Sequence, residues 1–390
     1  MSSTVAGPRR YRWAILAAGV AGQASYAAVF FGVSAIAPEI RAHYRLDLTD
    51  VGVVFAAVNV GSLVTLLPWG LLADRIGERA VLGLGLGTGS VALVGASYAN
   101  TYATLVVALT AAGALGAGVN SASGRAVMAW FGAEERGLAL GIRQTSVPLG
   151  GAVAAIVLPL LAQHVSLRSA FLALAAGCLG AALAGVVLMR GEPEEHTGPL
   201  ARPLRDRRIW LLCLGSTCFV ATQISILAFL VLFLHDRRGF STGAAAAVFA
   251  LTHALSGVAR ITAGRWSDRL GTRVAPLRWF ALALAAGVGG TAILVNAPTA
   301  VLLPALVAAG TLGASWNGLS FTAVAETAGR ARSGAAIGLQ QTFLAAGSIA
   351  AAVLFAALVH ATSWRLSFAV AALCPLAGYA LLAPVSEPRR

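Results

Sequence analysis

Charged residues are scarce in this sequence, and lysine is missing altogether. Only 11% of the 390 residues are charged, and the 28 strongly basic side chains are all arginine. A globular domain carries about 25% charged residues, so this chain has too little charge to cover a water-facing surface. The shortage argues against a soluble protein and indicates that most of the surface faces the apolar interior of a bilayer.

Cysteine and acidic residues are also few. The four cysteines lie in apolar runs without the close paired spacing of a metal site, so we expect buried thiols, no metal and no cofactor. No phosphate-binding loop or nucleophile constellation is present, which predicts that the chain is not an enzyme. No Asp or Glu falls in the middle of an apolar run, which disfavours a pump for cationic drugs. The cysteines are Cys178, Cys213, Cys218 and Cys374.

Apolar residues dominate, at 58% of the chain with a mean hydropathy of +0.80. They form runs of about 20 residues, the length that crosses a bilayer as a helix. The first run is longer than the apolar core of a signal peptide, which is about 7–15 residues, and more runs follow. Twelve spans are predicted, at 13–36, 49–72, 80–98, 101–128, 136–162, 169–189, 209–234, 242–267, 275–296, 299–325, 333–360 and 366–384.

One long polar stretch, Arg190–Arg208, divides the chain into halves. The predicted organisation is a tail (1–12), a six-helix bundle (13–189), a linker (190–208), a second six-helix bundle (209–385) and a tail (386–390). With the N-terminus inside, about 20 arginines fall on the inner side and far fewer on the outer side, which places both termini and the linker in the cytoplasm. The net charge of +13 reflects this bias rather than a nucleic-acid partner. The arginine-only, alanine-rich composition is typical of bacteria, so we expect the inner (plasma) membrane.

The second half of the sequence repeats motifs of the first half. Several short matches in one register predict two parallel six-helix repeats, hence an all-α membrane protein with twelve transmembrane helices in two pseudo-symmetric bundles. A solute site would then lie between the halves, near the midplane. The matched pairs are Gly70–Arg79 with Gly264–Arg273, 194 residues apart, and Leu115–Asn120 with Leu312–Asn317 and Gly141–Thr145 with Gly338–Thr342, both 197 residues apart.

The segment Gly70–Arg79 resembles the loop signature of the major facilitator superfamily, glycine–x–x–x–aspartate–arginine–x–glycine–x–arginine. Every fixed position is kept, and Gly264–Arg273 keeps them again. The resemblance implies the superfamily's fold and a secondary active transporter that works by alternating access. Its expected partners are the lipid bilayer, a small-molecule substrate, and a proton or counter-solute. We expect a monomer.

The same resemblance implies a gate. It puts Asp74 near the start of span 11 and Asp268 near the start of span 5, where a helix N-terminus stabilises a carboxylate by about 0.3–1 kcal/mol. Small glycines let the helices approach closely. In the alternative interpretation, the loops are only positive-inside topology signals, above all through their arginines. The predicted gating residues are Gly70, Asp74, Arg75, Arg79, Gly264, Asp268, Arg269 and Arg273.

Arg143, His253 and Arg260 lie well inside predicted spans, where ionisable groups are costly and mark function by default. Arg143 in span 5 and Arg260 in span 8 lie at similar depth, and the resemblance makes these spans face each other. Two guanidiniums would then hold a carboxylate or phosphate. Alternatively, each arginine bonds carbonyl groups at a helix break or extends toward the interface. His253 either makes an interhelical hydrogen bond or carries the coupled proton.

Neutral polar and aromatic residues accompany these arginines, and the resemblance implies that spans 1, 4, 7 and 10 line the cavity. Amides there either bind solute or bridge helices. Trp316 replaces Val119 of the first half, which predicts either shape selection or core packing. The further predicted substrate-binding residues are Gln23, Tyr26, Asn120, Gln144, Trp316, Asn317 and Gln341.

The segment Arg143–Gly151 resembles span 5 of small-anion permeases, the cyanate and sugar-phosphate permease-like branches. It partly resembles the antiporter motif of drug exporters, glycine–proline–x–x–glycine–glycine, but only Leu149 separates Pro148 from Gly150. The predicted function is transport of a small organic anion, a carboxylate or phosphate, with proton coupling or exchange. A proton-driven exporter of drugs or secondary metabolites and a non-transporting membrane sensor remain as alternatives.

Overall fold

The computed structural model describes residues 10–46, 48–189 and 205–386. This part of the chain is almost entirely α-helical and contains no strand. The outer parts of both predicted tails (1–9 and 387–390) and most of the predicted linker (190–204) lie outside the described residues. The predicted all-α membrane fold is confirmed for the described part.

Eleven helices of the described chain are long and apolar enough to cross a membrane, judged by length and composition. One of these lies in Leu48–Ser97, a 50-residue helix that contains a non-helical residue at Gly77, with φ 82° and ψ 166°. Glycine adopts this conformation without the steric cost that other residues meet. Gly77 therefore separates spans 2 and 3, so the described helices correspond to the twelve predicted crossings.

The helix ends fall within a few residues of the predicted span boundaries. In chain order the helices are α1 (Tyr11–Ala35), α2 (Ala37–Tyr44), α3 (Leu48–Ser97), α4 (Tyr102–Gly116), α5 (Gly118–Trp130), α6 (Arg136–Gln144), α7 (Ser146–His164), α8 (Leu167–Leu188), α9 (Arg207–Leu227), α10 (Leu230–Arg238), α11 (Thr242–Leu270), α12 (Val274–Leu294), α13 (Thr299–Gly313), α14 (Asn317–Ala328), α15 (Ser333–Ala361) and α16 (Trp364–Leu382).

Spans 4, 5, 7 and 10 each consist of two helices with a break between them. The break of span 4 at Ala117 and the break of span 10 at Ala314–Trp316 are 197 residues apart, so the sequence repeat extends to the backbone. A break leaves carbonyl groups without an intrahelical partner. At membrane depth, no bulk water satisfies them, so side chains must do so.

Span 5 breaks between α6 and α7, whereas its counterpart, span 11, is the continuous helix α15. Pro148 explains the difference. Proline has no N–H, so it cannot donate to the carbonyl four residues earlier, which belongs to Gln144. Position 345, the counterpart of Pro148, is alanine, and the helix continues there.

Contacts between residues group the described chain into two compact units. Unit 1 comprises the described residues within Met1–Gly132, Thr145–Pro203 and Ala328–Thr342, and unit 2 comprises those within Ala133–Gln144, Leu204–Thr327 and Phe343–Arg390. The first part of span 5 therefore packs with unit 2, and the first part of span 11 packs with unit 1. The predicted bundle boundaries, 13–189 and 209–385, stay predictions.

Large apolar side chains lie on the outside of the helices as well as in their core. Val91, Val187 and Ile293 expose 71%, 70% and 74% of their surface. Exposed apolar surface on this scale marks contact with an apolar environment. These positions therefore face lipid, as the scarcity of charge predicts.

Candidate functional site

Asp74 lies at the end of span 2 in unit 1 and is completely buried. Its Oδ1 accepts a hydrogen bond from the Gly334 N–H at 2.9 Å, and its Oδ2 accepts one from the Ala335 N–H at 2.7 Å. These N–H groups belong to the first turn of α15, where the backbone has no intrahelical acceptor. The carboxylate thus caps the helix and complements its partial positive charge.

Asp268 repeats this arrangement in unit 2. Its Oδ1 accepts from the Gly137 N–H at 3.0 Å and its Oδ2 from the Leu138 N–H at 2.8 Å, both in the first turn of α6. Both copies of the signature therefore use the same atom pattern on the corresponding helix of the repeat.

Two glycine pairs allow these approaches. A Cβ on Gly334 would lie 2.7 Å from the Gly70 carbonyl oxygen, and a Cβ on Gly137 would lie 2.6 Å from the Gly264 carbonyl oxygen. Neither site has room for a methyl group. The glycines thus let backbone meet backbone closely enough for the aspartates to reach the N–H groups.

A buried guanidinium completes the Asp74 cluster, which we define as Asp74, Glu78 and Arg125. Arg125 on α5 places its Nε 3.4 Å from Asp74 Oδ1, and its Nη1 donates to Glu78 Oε2. All three side chains are buried. Two carboxylates therefore share one cation.

The Asp268 cluster, defined as Asp268, Arg273 and Glu326, has the same composition. Arg273 Nη1 donates to Asp268 Oδ1 at 2.6 Å, and its Nε donates to Glu326 Oε2 at 3.1 Å. The positions of the arginine and the glutamate are exchanged between the two clusters, however. The cation stands on the membrane helix α5 in the Asp74 cluster, whereas in the Asp268 cluster it stands on the signature segment and the glutamate stands on α14.

Of the predicted gating arginines, only Arg273 lies in a cluster; Arg75, Arg79 and Arg269 are exposed. Arg125, Glu78 and Glu326 are not among the residues predicted for the gate from the sequence. One signal was available for Arg125, a basic residue inside the predicted span 101–128.

Arg260 is buried in unit 2 and bonds two helix breaks. Its Nε donates to the Ala314 carbonyl in span 10, and its Nη1 donates to the Gln144 carbonyl in span 5, both at 2.6 Å. The second carbonyl is the one that Pro148 leaves without a helical donor. Carbonyl binding at a helix break is thus what the structure shows for this arginine. These carbonyl dipoles accept hydrogen bonds from the guanidinium but do not cancel its charge.

Arg143 is 1% exposed and lies in the last turn of α6, next to Gln144. Its guanidinium carbon is 5.9 Å from the centre of the Phe321 ring on α14. The two helices pack closely, because a Cβ on Gly318 would lie 3.2 Å from the Gly141 Cα. Unit 2 therefore holds two buried guanidiniums next to the same helix breaks.

In unit 1, the structure brings three predicted amides together. Asn120 Oδ1 accepts from Gln23 Nε2 at 2.9 Å and from Gln341 Nε2 at 3.0 Å, which bridges spans 1, 4 and 11. Tyr26 donates to the Gly113 carbonyl at 2.9 Å and contacts Ser62. These side chains are engaged in bonds between helices.

Trp316 and His253 differ in how deeply they are buried and in what they contact. Trp316 is buried, donates from Nε1 to the Gly313 carbonyl at 2.8 Å and packs edge-on against Phe219, so it fills the core of unit 2. His253 is half-buried, with its ring 4.3 Å from that of Phe249. Within the described residues no group of three His, Cys, Asp or Glu side chains could hold a metal.

Comparison with known proteins gives one family. The model of the Major Facilitator Superfamily matches residues 19–352. The chain is 31% identical to an uncharacterised MFS-type transporter, Rv2994, of Mycobacterium tuberculosis over 377 residues, 95% of this chain and 84% of the relative.

Two further relatives have names that mention a cargo. The chain is 27% identical to the probable sulfoacetate transporter SauU of Cupriavidus necator over 63% of this chain and 62% of that protein. It is 33% identical to the synaptic vesicular amine transporter of Bos taurus over 46% of this chain and 35% of that protein.

Among solved structures, the outward conformation of the MFS transporter FucP superposes with a TM-score of 0.78. The two sequences are 16% identical, and the match covers 96% of this chain and 99% of FucP. At this identity the match shows the shared fold.

Proposed function

The chain belongs to the Major Facilitator Superfamily, and we propose that it carries a small organic anion across the membrane by alternating access, with proton coupling or exchange. One observation carries the anionic cargo: unit 2 buries Arg143 and Arg260 beside the same helix breaks. In the described chain, Arg260 donates to carbonyl oxygens, which leave its positive charge in place. A buried charge of this kind is costly, and an anion that binds there lowers the cost.

The similarity to the Cupriavidus necator relative supports the same cargo class, because its name describes an organic anion. The resemblance of Arg143–Gly151 to small-anion permeases adds to this support. Arg143 is the residue that we assign to the anion, and Arg260 is the residue that holds the broken spans 5 and 10 together beside it.

In this proposal the Asp74 and Asp268 clusters form the gate on the cytoplasmic side. Each cluster holds a carboxylate on a helix N-terminus and one buried cation, so its contacts stabilise the state in which they are made. The contacts break when that side opens. The arginine distribution supports the cytoplasmic placement of this end.

Uptake into proteoliposomes tests the proposal. Labelled carboxylates, sulfonates and phosphates are offered with and without a pH gradient, and at least one should accumulate. Arg143→Gln should lower its uptake by about 10- to 100-fold, the equivalent of one charge-assisted hydrogen bond. Arg237→Gln, which changes an exposed arginine outside the predicted gate and site, is the control and should transport at the wild-type rate. Normal uptake by Arg143→Gln would remove the anion site.

A second candidate is export of an amine or drug in exchange for protons, favoured by the partial match to the vesicular amine transporter. The same vesicles, loaded with a labelled amine or a cationic dye, decide between the two. Amine movement that depends on a proton gradient, without movement of any anion, would favour this candidate.

A further inference from the structure

Asn120 and Asn317 occupy equivalent places in the repeat, each directly after the break of its span. In unit 1, Asn120 Oδ1 accepts two hydrogen bonds, from Gln23 and Gln341. In unit 2, Asn317 Oδ1 is buried and has no hydrogen-bond partner among the described residues. The same amide is therefore satisfied in one unit and not in the other.

The difference has a cause in the sequence. Gly19 lies against Ser123 in unit 1, and Ser216 lies against Ser320 in unit 2, so the register of 197 residues also relates span 1 to span 7. In that register the counterpart of Gln23 is Val220, which has no donor. The second repeat therefore lacks one of the two amides that donate to Asn120 in the first.

Two more oxygens at the same break are buried and have no partner in the described chain: Gln223 Oε1 and Thr311 Oγ1. A Cβ on Gly313 would lie 3.6 Å from the Gln223 Cα, which places Gln223 directly against the break of span 10. Buried acceptors without donors cost free energy, and native structures retain few of them. The break of span 10 thus has two buried amide oxygens without a donor, next to a threonine hydroxyl that has no partner in the described chain.

We infer that the cargo carries a hydroxyl group next to its anionic group, and that Asn317 accepts the hydroxyl hydrogen while Arg143 holds the anion. This inference rests on the proposed function. Asn317 is one helical turn before Phe321, whose ring lies 5.9 Å from the Arg143 guanidinium carbon, so both groups face the same region of unit 2. An ammonium donor would be repelled by Arg143 and Arg260, which selects a hydroxyl. The substrate class is that of short hydroxy acids.

Three labelled acids of similar size separate the contributions in wild-type proteoliposomes. Lactate has an anion and a hydroxyl donor, 2-methoxypropionate keeps the oxygen without the donor, and propionate lacks both. Wild type should take up lactate about 10-fold or more faster than either other acid, because a site that binds a hydroxyl discriminates against analogues that lack it. Asn317→Leu should bring all three rates to within about twofold while its propionate uptake persists, which also shows that the variant is folded.

Asn120→Leu is the matched control from the first repeat, and it should lower all three rates by a common factor without changing their ratio. Equal uptake of lactate and propionate by wild type, or an unchanged preference in Asn317→Leu, would overturn the hydroxyl assignment while anion transport stands. If wild type moves no anion of any class, the proposed function fails and the inference fails with it.

Discussion

At the scale of the residue, Arg260 replaces a backbone hydrogen bond that Pro148 removes. The proline leaves the Gln144 carbonyl without its helical donor, and the Arg260 guanidinium donates to that carbonyl from α11. The same side chain bonds the Ala314 carbonyl in span 10. One side chain thus donates to a carbonyl oxygen at each of two helix breaks, and both oxygens would otherwise be buried without a donor.

Removing this side chain should therefore destabilise unit 2. Arg260→Met leaves two buried carbonyls without donors, at about 1–3 kcal/mol each. We expect a lower midpoint of thermal unfolding in detergent, measured by intrinsic fluorescence or by loss of monodisperse protein. Pro148→Ala restores an N–H for Gln144, so the double variant should lose less stability than the sum of the two single variants.

Additive losses in this double-mutant cycle would contradict the replacement, because independent sites add. Arg269→Met provides the control for removal of an arginine from an exposed position and should leave the midpoint unchanged.

The sequence identified which residues stand at membrane depth but not what each one contacts. Depth follows from the length of an apolar run, so Arg143 and Arg260 were predictable as buried cations. Their partners depend on the packing between helices, which one chain's periodicity does not contain. The role of Arg260 had a local signal in the proline four residues after Gln144, whereas the buried position of Trp316 against Phe219 had none.

At the scale of the element, the Asp74 and Asp268 clusters reach the same charge pattern from different helices. Each has two carboxylates and one buried guanidinium around a helix N-terminus, but the buried arginine and the glutamate have exchanged places between the signature segment and the neighbouring helix. The pattern of charges is therefore what the two repeats share, more than the identity of any flanking residue.

An exchange of charges within the Asp74 cluster tests this. Arg125→Glu alone or Glu78→Arg alone leaves an uncompensated buried charge, which costs about 3–5 kcal/mol, so both single variants should unfold at clearly lower temperature. The double variant adopts the polarity of the Asp268 cluster and should recover most of the lost stability. Thermal unfolding of the purified variants measures it. A double variant no more stable than the worse single one would show that position matters more than charge.

Helix boundaries were predictable to within a few residues because apolar runs mark them directly. Two features were not. The signature was expected to be a loop, yet α3 continues through Asp74 and departs from helical geometry only at Gly77. The short helix α2 (Ala37–Tyr44) and the breaks inside spans depend on contacts with neighbouring helices and left little trace in composition.

At the scale of the whole molecule, the proposed gate predicts how the protein distributes between its conformations. Asp74→Asn keeps the shape of the side chain but removes the charge that faces the first turn of α15. A loss of about 1 kcal/mol, within the range for a carboxylate at a helix N-terminus, changes a population ratio about fivefold. We expect a shift toward the inward-open state.

The rate at which a thiol reagent modifies single cysteines introduced at the outer ends of the spans should fall accordingly. Asp268→Asn, the matched variant in the second repeat, should produce a shift in the same direction. Unchanged labelling in both variants would remove the gate while leaving the fold and the cargo site untouched.

The repeat also explains why the fold was predictable from sequence while the cargo was not. The fold follows from twelve apolar runs and from motifs that recur at fixed spacing, and both patterns can be read directly from the sequence. The proposed cargo rests on places where the repeats differ, such as Val220 in the place of Gln23, and such a difference can be interpreted only once the spatial neighbours of each residue are known.

The paired glycines limit which substitutions can change the balance between the proposed conformations. The main chain at Gly137 contacts that at Gly264, and the main chain at Gly334 contacts that at Gly70. Even an alanine side chain is too large for these contacts, so side-chain size cannot be increased there in small steps. In the proposed alternating-access cycle, the time spent in each conformation would then be set by the charges around these glycine contacts. Substitutions of neighbouring charged residues can change this electrostatic contribution in small steps. The glycine contacts themselves allow no intermediate side-chain size.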